Sequence, residues 1–559
     1  MKRYSTVART LLGAIGITTL LSMSACGYLA AEPNQAGTYA ESPRSQEAVA
    51  EEAGREGVLT TADAAESYIA STVSPQPTAS PPLAAGGTNI PNDQPYDLMY
   101  FASEGVNPFV DTEDDHFSTF AMDVDTASYT VVRRYLNEGH LPPEEAIRVE
   151  EFINYFDLNY PGPENDKDAF AIHLEGAPAP FGPTNAYLLK VGLQGKEVAV
   201  EDRKPANLVF VIDISGSMAQ ENRLGLVKRS LQLLVDELRP TDTVGIVVYG
   251  STARALLTPT SPEDRDYILA AIDQLEPDGS TNAEEGLRLG YEMAANAFQL
   301  GGINRVILLS DGVANVGNTG PDSILQTIDR YVDEGITLST VGFGMGNYND
   351  ILMEQLANDG NGNYAYVDTL EEARRIFVEN LTGTLQVIAK DAKVQVDFNP
   401  EVVRSYRLLG YENRDVADQD FRNDEVDAGE VGAGHSVTAL YEIKLHDSVQ
   451  ASEEALALTT YIRYQDLDQG EIVEVAEPFN VGDFRASLDE TSDGFRLIAA
   501  VAEYAEILRG SYWAKEGDLG EVERLALSAE DSFAEDSEVL EFFNLLEQAG
   551  QLVEPDPQP

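Results

Sequence analysis

The segment Asn207–Met218, NLVFVIDISGSM, constrains this chain more than any other part of its sequence. A run of apolar and β-branched residues ends at Asp213, and Ser215 and Ser217 follow at alternate positions. Continuous apolarity predicts a strand buried on both faces, and the Gly and Ser after it predict a tight loop into a helix. One carboxylate and two hydroxyls on such a loop suit a small divalent cation, because Mg²⁺ takes about six oxygens and usually keeps some waters.

Two later segments offer further oxygens. Arg305–Gly312 is a second buried-strand pattern, and it ends in Asp311. Gly279–Asn282 precedes a helical pattern and carries the hydroxyl of Thr281. Ligand sites in parallel sheets lie at the carboxyl ends of strands, where these carboxylates fall. The plainer alternative is that the serines cap a helix and the aspartates only end strands.

Taken in order, the three segments resemble the metal-ion-dependent adhesion site of von Willebrand factor type A domains. The resemblance implies that some ligands act through water and that an open position accepts an Asp or Glu carboxylate of a protein partner. It implies Mg²⁺ as the cation, with Mn²⁺ or Ca²⁺ as alternatives. The metal ligands that it implies are Asp213, Ser215, Ser217, Thr281 and Asp311.

Strand and helix patterns alternate through residues 206–388, which we interpret as the von Willebrand factor type A (VWA) domain. The alternation predicts an α/β fold with a doubly wound, mostly parallel sheet, similar to a Rossmann fold. Ala253–Leu257 has short connections on both sides and is predicted to be an antiparallel edge strand. A single helix is predicted over Leu370–Gln386.

Two regions flank this domain, residues 96–205 and residues 389–559. The first has helical patterns at Ser128–Asn137 and Glu144–Tyr155, followed by two strand patterns. The second has alternating strands, typical of half-buried sheets, and then helices that are predicted to pack in a core. Both regions resemble those of a family of bacterial VWA lipoproteins. Because the termini of a doubly wound domain usually lie close together, we expect the flanks to form one β-sandwich that the VWA domain interrupts.

The start of the chain has the features of a lipoprotein signal, assigned to residues 1–25. Lys2 and Arg3 precede the apolar stretch Leu11–Leu21, which is short for a membrane span, and Met23–Cys26 resembles a lipoprotein cleavage box. Cys26, the only cysteine, is the expected lipidation site, which would hold the protein on a membrane in the cell envelope outside the cytoplasm. An ordinary cleaved signal or an uncleaved anchor is the alternative. Residues 26–95, rich in Ala, Glu, Ser, Thr and Pro, are expected to be a disordered tether.

The formal net charge is −58 at pH 7. Such a chain repels nucleic acid, so no nucleic-acid partner is expected. Acidic residues occur in every region, which favours a role in solubility over one acidic binding face. Asp123 and Asp125 resemble the start of a calcium loop, but Arg134 stands at the twelfth position and no Gly at the sixth, which excludes an EF-hand. Turn capping or contacts within the domain explain these two aspartates better.

Motifs for catalysis are missing from the sequence. It has no H-E-x-x-H, G-x-S-x-G or Walker-type loop, and its five histidines are scattered. We therefore predict a surface-anchored, cation-dependent binding protein rather than an enzyme. A scaffold or assembly factor for a cell-envelope complex is the alternative, and a metal-assisted hydrolase is a third hypothesis with little support.

Overall fold

A computed structural model gives the structure of residues 99, 101–122, 125–165, 167–220, 223–312, 329–345, 348–424, 426, 428–447 and 454–553. The predicted signal, the tether, Cys26 and Asp123 lie outside these residues. Within the described part of the chain, no helix has both the length and the apolarity that a membrane crossing requires.

The central sheet of the described chain has six strands, and their order confirms the predicted α/β class. The strand β5 lies in the middle, parallel to β6 on one side and β8 on the other. Strand β7 pairs antiparallel with β6 at the edge, which confirms the prediction for Ala253–Leu257. In sheet order the strands are β10 Tyr364–Val367, β9 Thr337–Phe343, β8 Ile303–Ser310, β5 Ala206–Asp213, β6 Thr243–Tyr249 and β7 Ala253–Thr260.

Helices cover both faces of this sheet, and the side chains of β5 alternate between them. Leu208 and Phe210 belong to a core with α3 and α4, whereas Val209 and Val211 belong to a second core with α5 and α6. All eight residues of β5 are buried, as the continuous apolar run predicts. The helices of this region are α3 Arg223–Glu237, α4 Arg265–Asp273, α5 Ala283–Asn296, α6 Asp350–Asp359, α7 Leu370–Arg374 and α8 Leu381–Leu385.

The single helix predicted over Leu370–Gln386 is wrong. A π-helical turn, Arg375–Glu379, separates α7 from α8. Asn380 N donates to Arg375 O at 2.9 Å, a bond one residue longer than in an α-helix. The Arg375 guanidinium bonds Glu372 on α7 and lies 4.3 Å from the centroid of the Tyr155 ring, so a contact outside the helix competes with the regular turn.

The two flanking regions form one β-sandwich. Strand β4 pairs antiparallel with β14 along nine residue pairs, which confirms that strands before and after the VWA domain share a sheet. One sheet runs β1-β12-β14-β4-β3 and the other runs β13-β11-β15-β16, with β2 paired to β11. These strands are β1 Val110–Asp111, β2 Phe117–Ala121, β3 Phe170–Pro178, β4 Ala186–Gly195, β11 Val387–Phe398, β12 Val403–Leu409, β13 Glu430–Gly432, β14 Ser436–Leu445, β15 Leu456–Asp466 and β16 Ile472–Asn480.

A helical layer packs beside the sandwich. Val539, Phe542 and Leu545 are buried there, which confirms that the last helix packs in a core. A helix at Leu519–Leu527 was not predicted. The helices are α1 Ala127–Asn137, α2 Val149–Ile153, α9 Asp493–Leu508, α10 Leu519–Leu527 and α11 Ser537–Val553.

The helix predicted over Glu144–Tyr155 is interrupted. A short 3₁₀ turn, Glu144–Ala146, precedes α2, and the two residues between them are extended. Ser128 explains the break, because its hydroxyl donates to Ala146 O at 2.6 Å and accepts from Arg148 N at 2.9 Å. A side chain on α1 thus takes the place of intrahelical bonds.

Buried polar contacts join the VWA domain to its flanks. Asp125 accepts from the backbone of Tyr364 on β10 at 3.0 Å and from Arg414 at 3.1 Å, so it makes structural contacts as expected. Arg148 donates to Asp350 at 2.7 Å, and Arg414 also donates to Glu354 at 2.9 Å, both acceptors on α6. These pairs fix the orientation of α6 against the sandwich.

The pKa of Glu503 predicts one pH dependence of stability. Burial and, less strongly, the nearby charges of Glu506 and Glu442 raise this pKa to about 7. A carboxyl group with a raised folded-state pKa stabilises the fold below its ordinary pKa and loses that contribution as the pH rises through about 7. We expect Glu503→Gln to raise the thermal unfolding midpoint near pH 8 and to leave it unchanged near pH 4. Glu523→Gln on exposed α10 surface is the control, and equal shifts at both pH values would contradict the prediction.

Candidate metal centre

The loop after β5 gathers three of the predicted ligands. Asp213 is the last residue of β5 and is fully buried. Ser215 N donates to Asp213 Oδ1 at 2.7 Å, which turns the chain sharply into the 3₁₀ segment Gly216–Ala219. The hydroxyl oxygens of Ser215 and Ser217 then lie 3.0 Å apart. Their alternate spacing in sequence therefore places both hydroxyls on the same side of the loop.

The second carboxylate comes from the neighbouring parallel strand. Asp311 follows β8 directly and is 3% exposed. Ser217 Oγ donates to Asp311 Oδ1 at 3.1 Å, and Ser310 Oγ donates to Asp213 Oδ2 at 3.0 Å. Because β5 and β8 are adjacent and parallel, their carboxyl ends bring both aspartates to one edge of the sheet.

Thr281 lies on a third loop that contacts the first. Gly216 N donates to Gly279 O at 3.1 Å, and this bond fixes the loop two residues before Thr281. Thr281 is half-buried and precedes Asn282, whose side chain caps α5 by accepting from Glu285 N at 3.3 Å. The structure thus joins four of the predicted residues by side-chain and backbone hydrogen bonds and places Thr281 on the adjoining loop.

The pKa values of the two carboxylates are raised by burial. Burial and, less strongly, the charge of Asp311 raise the pKa of Asp213 to about 6, against the bonds from Ser215 and Ser310. Burial also raises the pKa of Asp311, and the Arg223 guanidinium opposes that shift. Two buried carboxylates at one edge of a sheet are costly in the absence of a compensating cation.

Arg223 is a residue of the centre that the sequence did not reveal. It begins α3 and is 5% exposed. One of its nitrogens donates to Asp311 Oδ2 and, at 3.3 Å, to Ser217 O, and the other donates to Met345 O. Its position in the sequence, at the start of a predicted helix, carries no signal for a metal site.

The donor set fits a small divalent cation. The hydrogen-bond partners that the described residues give Asp213 are all uncharged: Ser215 N, Tyr249 Oη at 3.3 Å and Ser310 Oγ. The described chain has no cluster of three or more His, Cys, Asp and Glu residues with metal-binding geometry. Two carboxylates completed by hydroxyls suit Mg²⁺, which binds few carboxylates and keeps several waters. Metals that prefer thiolate or imidazole ligands do not fit this set of oxygen donors.

Gly250 sets the distance between the loops of the centre. It follows β6, and a Cβ there would overlap the carbonyl oxygen of Asp278, whose own N donates to Ile214 O. We expect Gly250→Ala to destabilise the chain by about 1–3 kcal/mol and to weaken Mg²⁺ binding, because the loop of Thr281 must move. Chemical unfolding and calorimetric Mg²⁺ titration are the measurements.

The control for Gly250→Ala is Gly225→Ala on α3, where nothing lies within 4 Å of the added methyl group. There the change is expected to stabilise the helix by up to about 1 kcal/mol and to leave Mg²⁺ affinity unchanged. Equal effects of the two substitutions would contradict the role of Gly250.

Comparison with known families places the chain in a class. Residues 207–382 match the family described as von Willebrand factor type A domain, and residues 96–189 match one described as von Willebrand factor. Residues 383–552 match the C-terminal family of the uncharacterized protein YfbK. The fold, the site and these matches define a VWA-domain protein with characteristic flanking regions.

The YfbK protein of Escherichia coli is 39% identical to this chain over 443 residues, which cover 76% of each protein. The chain belongs to this bacterial family of VWA proteins. Human inter-alpha-trypsin inhibitor heavy chain H3 is 27% identical over 273 residues, which span 45% of this chain and 30% of that protein. A solved von Willebrand factor type A structure from Catenulispora acidiphila covers 67% of this chain and 89% of its own, with a TM-score of 0.39 and 16% identity.

Proposed function

We propose that this protein is a divalent-cation-dependent protein-binding module of the adhesion type. The observation that carries the proposal is the convergence of Asp213, Ser215, Ser217 and Asp311 at the carboxyl ends of two adjacent strands, with Asp213 buried among uncharged partners. VWA domains generally mediate protein interactions and adhesion, which supports the same conclusion.

The residues of the centre have separable roles. Asp213 and Asp311 would hold the cation, and the hydroxyls of Ser215, Ser217 and Thr281 would complete the protein side of its shell, directly or through water. A bound Mg²⁺ would supply a positive coordination position that an Asp or Glu carboxylate of a partner can occupy. On a chain with a net charge of −58, such a position would be a local exception to the repulsion of anionic groups.

We also propose that the module is held at a membrane of the cell envelope. The support is the basic start, the short apolar stretch Leu11–Leu21 and the small residues before Cys26. A lipid on Cys26 would anchor the chain, and residues 26–95 would set the distance of the binding site from the membrane. Mass spectrometry of the membrane-extracted protein tests this step, since an unmodified Cys26 would contradict it.

A random peptide-display library tests the binding function without a known partner. The purified chain is immobilised and panned in Mg²⁺, and the retained peptides are eluted with EDTA. We expect the eluted peptides to be enriched in Asp or Glu for the wild-type chain and not for Asp213→Asn. The isosteric Asn keeps the fold of the loop while removing a ligand charge, so the comparison isolates the metal centre.

The scaffold hypothesis makes the opposite prediction. A scaffold for an envelope complex would retain its partner through the flanking regions in EDTA and in Asp213→Asn alike. Peptides without carboxylate enrichment, together with a partner that resists EDTA, would contradict the adhesion-type function and favour the scaffold.

A further inference from the structure

Arg223 contacts the metal centre from inside the protein. Its guanidinium bonds Asp311 Oδ2, which leaves Asp311 Oδ1 facing the hydroxyl of Ser217 at 3.1 Å. It also reaches Ser217 O and the backbone of Met345, so it connects the loops that follow β5, β8 and β9. The residue before Met345 is Gly344, with a φ of +82°, and a side chain there would overlap Arg223. The glycine at position 344 thus leaves room for the side chain of Arg223.

The charge of Arg223 changes what the centre can bind. Asp213, Asp311 and Arg223 together carry one negative charge, whereas the two carboxylates alone carry two. A divalent cation therefore leaves the centre with one positive charge when Arg223 is present and with none when it is absent. Since all three side chains are buried, water screens these charges weakly.

We propose that Arg223 is a specificity-determining residue that weakens cation binding in order to keep the loaded centre positive and therefore selective for anionic ligands. The inference rests on the proposed function, because it assigns the ligand charge at that same centre. Arg223 also positions Asp311, since it occupies one carboxylate oxygen and leaves the other for the cation. A guanidinium suits both roles because it stays charged and forms a rigid fork of donors.

This role predicts effects of opposite sign in Arg223→Gln. Without the positive charge, the cation should bind about tenfold more tightly, because a buried repulsion is removed. An anionic ligand should bind the loaded centre about tenfold more weakly, because the centre is then neutral. Loss of a merely structural contact would weaken both steps together.

Mn²⁺ and acetate are suitable probes, since the relaxation of water protons reports both bound Mn²⁺ and the displacement of its water by a carboxylate. The full chain is titrated with Mn²⁺ and then with acetate, as wild type, Arg223→Gln and Arg223→Lys. Arg223→Lys keeps the charge and loses the fork, so any change in the two constants should have the same direction in both. Arg229→Gln, on the exposed side of α3, has the same charge change and should leave both constants unchanged.

The outcomes separate this proposal from the proposed function. Tighter Mn²⁺ and weaker acetate in Arg223→Gln, without such opposite changes in Arg223→Lys, would support it. Parallel weakening of both probes, or no change in either, would overturn the role of Arg223 alone. If Arg223→Gln does not fold, an Arg223→Lys protein whose two constants change in opposite directions would overturn it as well, because the charge is retained. A wild-type chain that does not bind Mn²⁺ would overturn the proposed function and this inference together.

Discussion

Arg133→Met is expected to destabilise the folded chain by about 3–5 kcal/mol, because it removes a cation from the buried carboxylates of Asp368 and Glu372. Arg133 is 3% exposed and donates to Asp368 and Glu372 of the VWA domain, each at 2.9 Å. It also donates to Glu541 on α11 at 2.9 Å and to Tyr155 at 2.7 Å. One guanidinium on α1 therefore joins the VWA domain to both flanking regions.

Unfolding in urea, followed by far-UV circular dichroism, measures this effect. The control is Arg288→Met, which removes an exposed i,i+4 pair with Glu292 on α5 and should change stability by at most about 0.5 kcal/mol. The two variants are directly comparable because each substitution removes one guanidinium and one unit of charge. A loss below about 1 kcal/mol for Arg133→Met would mean that its carboxylate partners gain water or protons when the cation is removed.

The central sheet could be predicted because its strands have clear local sequence patterns. Strands β5 and β8 are continuous apolar runs bounded by turn residues, and such runs are buried whatever packs against them. The sandwich could be predicted only as a topological argument, from the closeness of the termini of a doubly wound domain. Strand β2, FSTFA, escaped prediction because its pairing with β11 depends on residues far along the chain.

The helix predictions that were wrong concern segments whose conformation depends on tertiary contacts. The break before α2 depends on the hydroxyl of Ser128, and the π-helical turn at Arg375 depends on the ring of Tyr155. No window of local sequence contains those partners together. The helix α1 was predicted as a helix, but its contact with β10, where Thr130 donates to Tyr366 O at 2.9 Å, could not be predicted.

The candidate metal centre could also be predicted only in part. Asp213 and Asp311 end adjacent parallel strands, so sheet topology alone brings them together. The hydroxyls of Ser215 and Ser217 follow from the local turn. Arg223 could not be predicted, because its contacts with Asp311 and with the loop after β9 form only when α3 packs on the sheet.

Asp213→Asn is expected to lower Mg²⁺ affinity by about a hundredfold or more, since it removes one of the two proposed carboxylate ligands. Isothermal titration calorimetry of the full chain measures the loss. Asp273→Ala, an exposed acid at the end of α4 with the same change in charge, should bind Mg²⁺ as the wild type does. Equal heats for wild type and Asp213→Asn would mean that the ligand set does not hold the cation.

The same substitution should have the opposite effect on the metal-free protein. Burial raises the pKa of Asp213 to about 6. Ionisation of Asp213 therefore lowers the free energy of unfolding as the pH rises from the ordinary pKa of an aspartate to about 6. That stability is regained when the pH falls below the ordinary pKa. Metal-free Asp213→Asn should therefore melt higher than wild type near pH 8 and not near pH 3.5. In Mg²⁺ at about a hundredfold excess over the dissociation constant, wild type should gain roughly 2.7 kcal/mol and the variant should gain little. If the variant melts lower than wild type in EDTA near pH 8, Asp213 stabilises the loop by itself. If the variant melts higher than wild type in EDTA and lower in Mg²⁺, Asp213 carries a buried charge that the cation compensates.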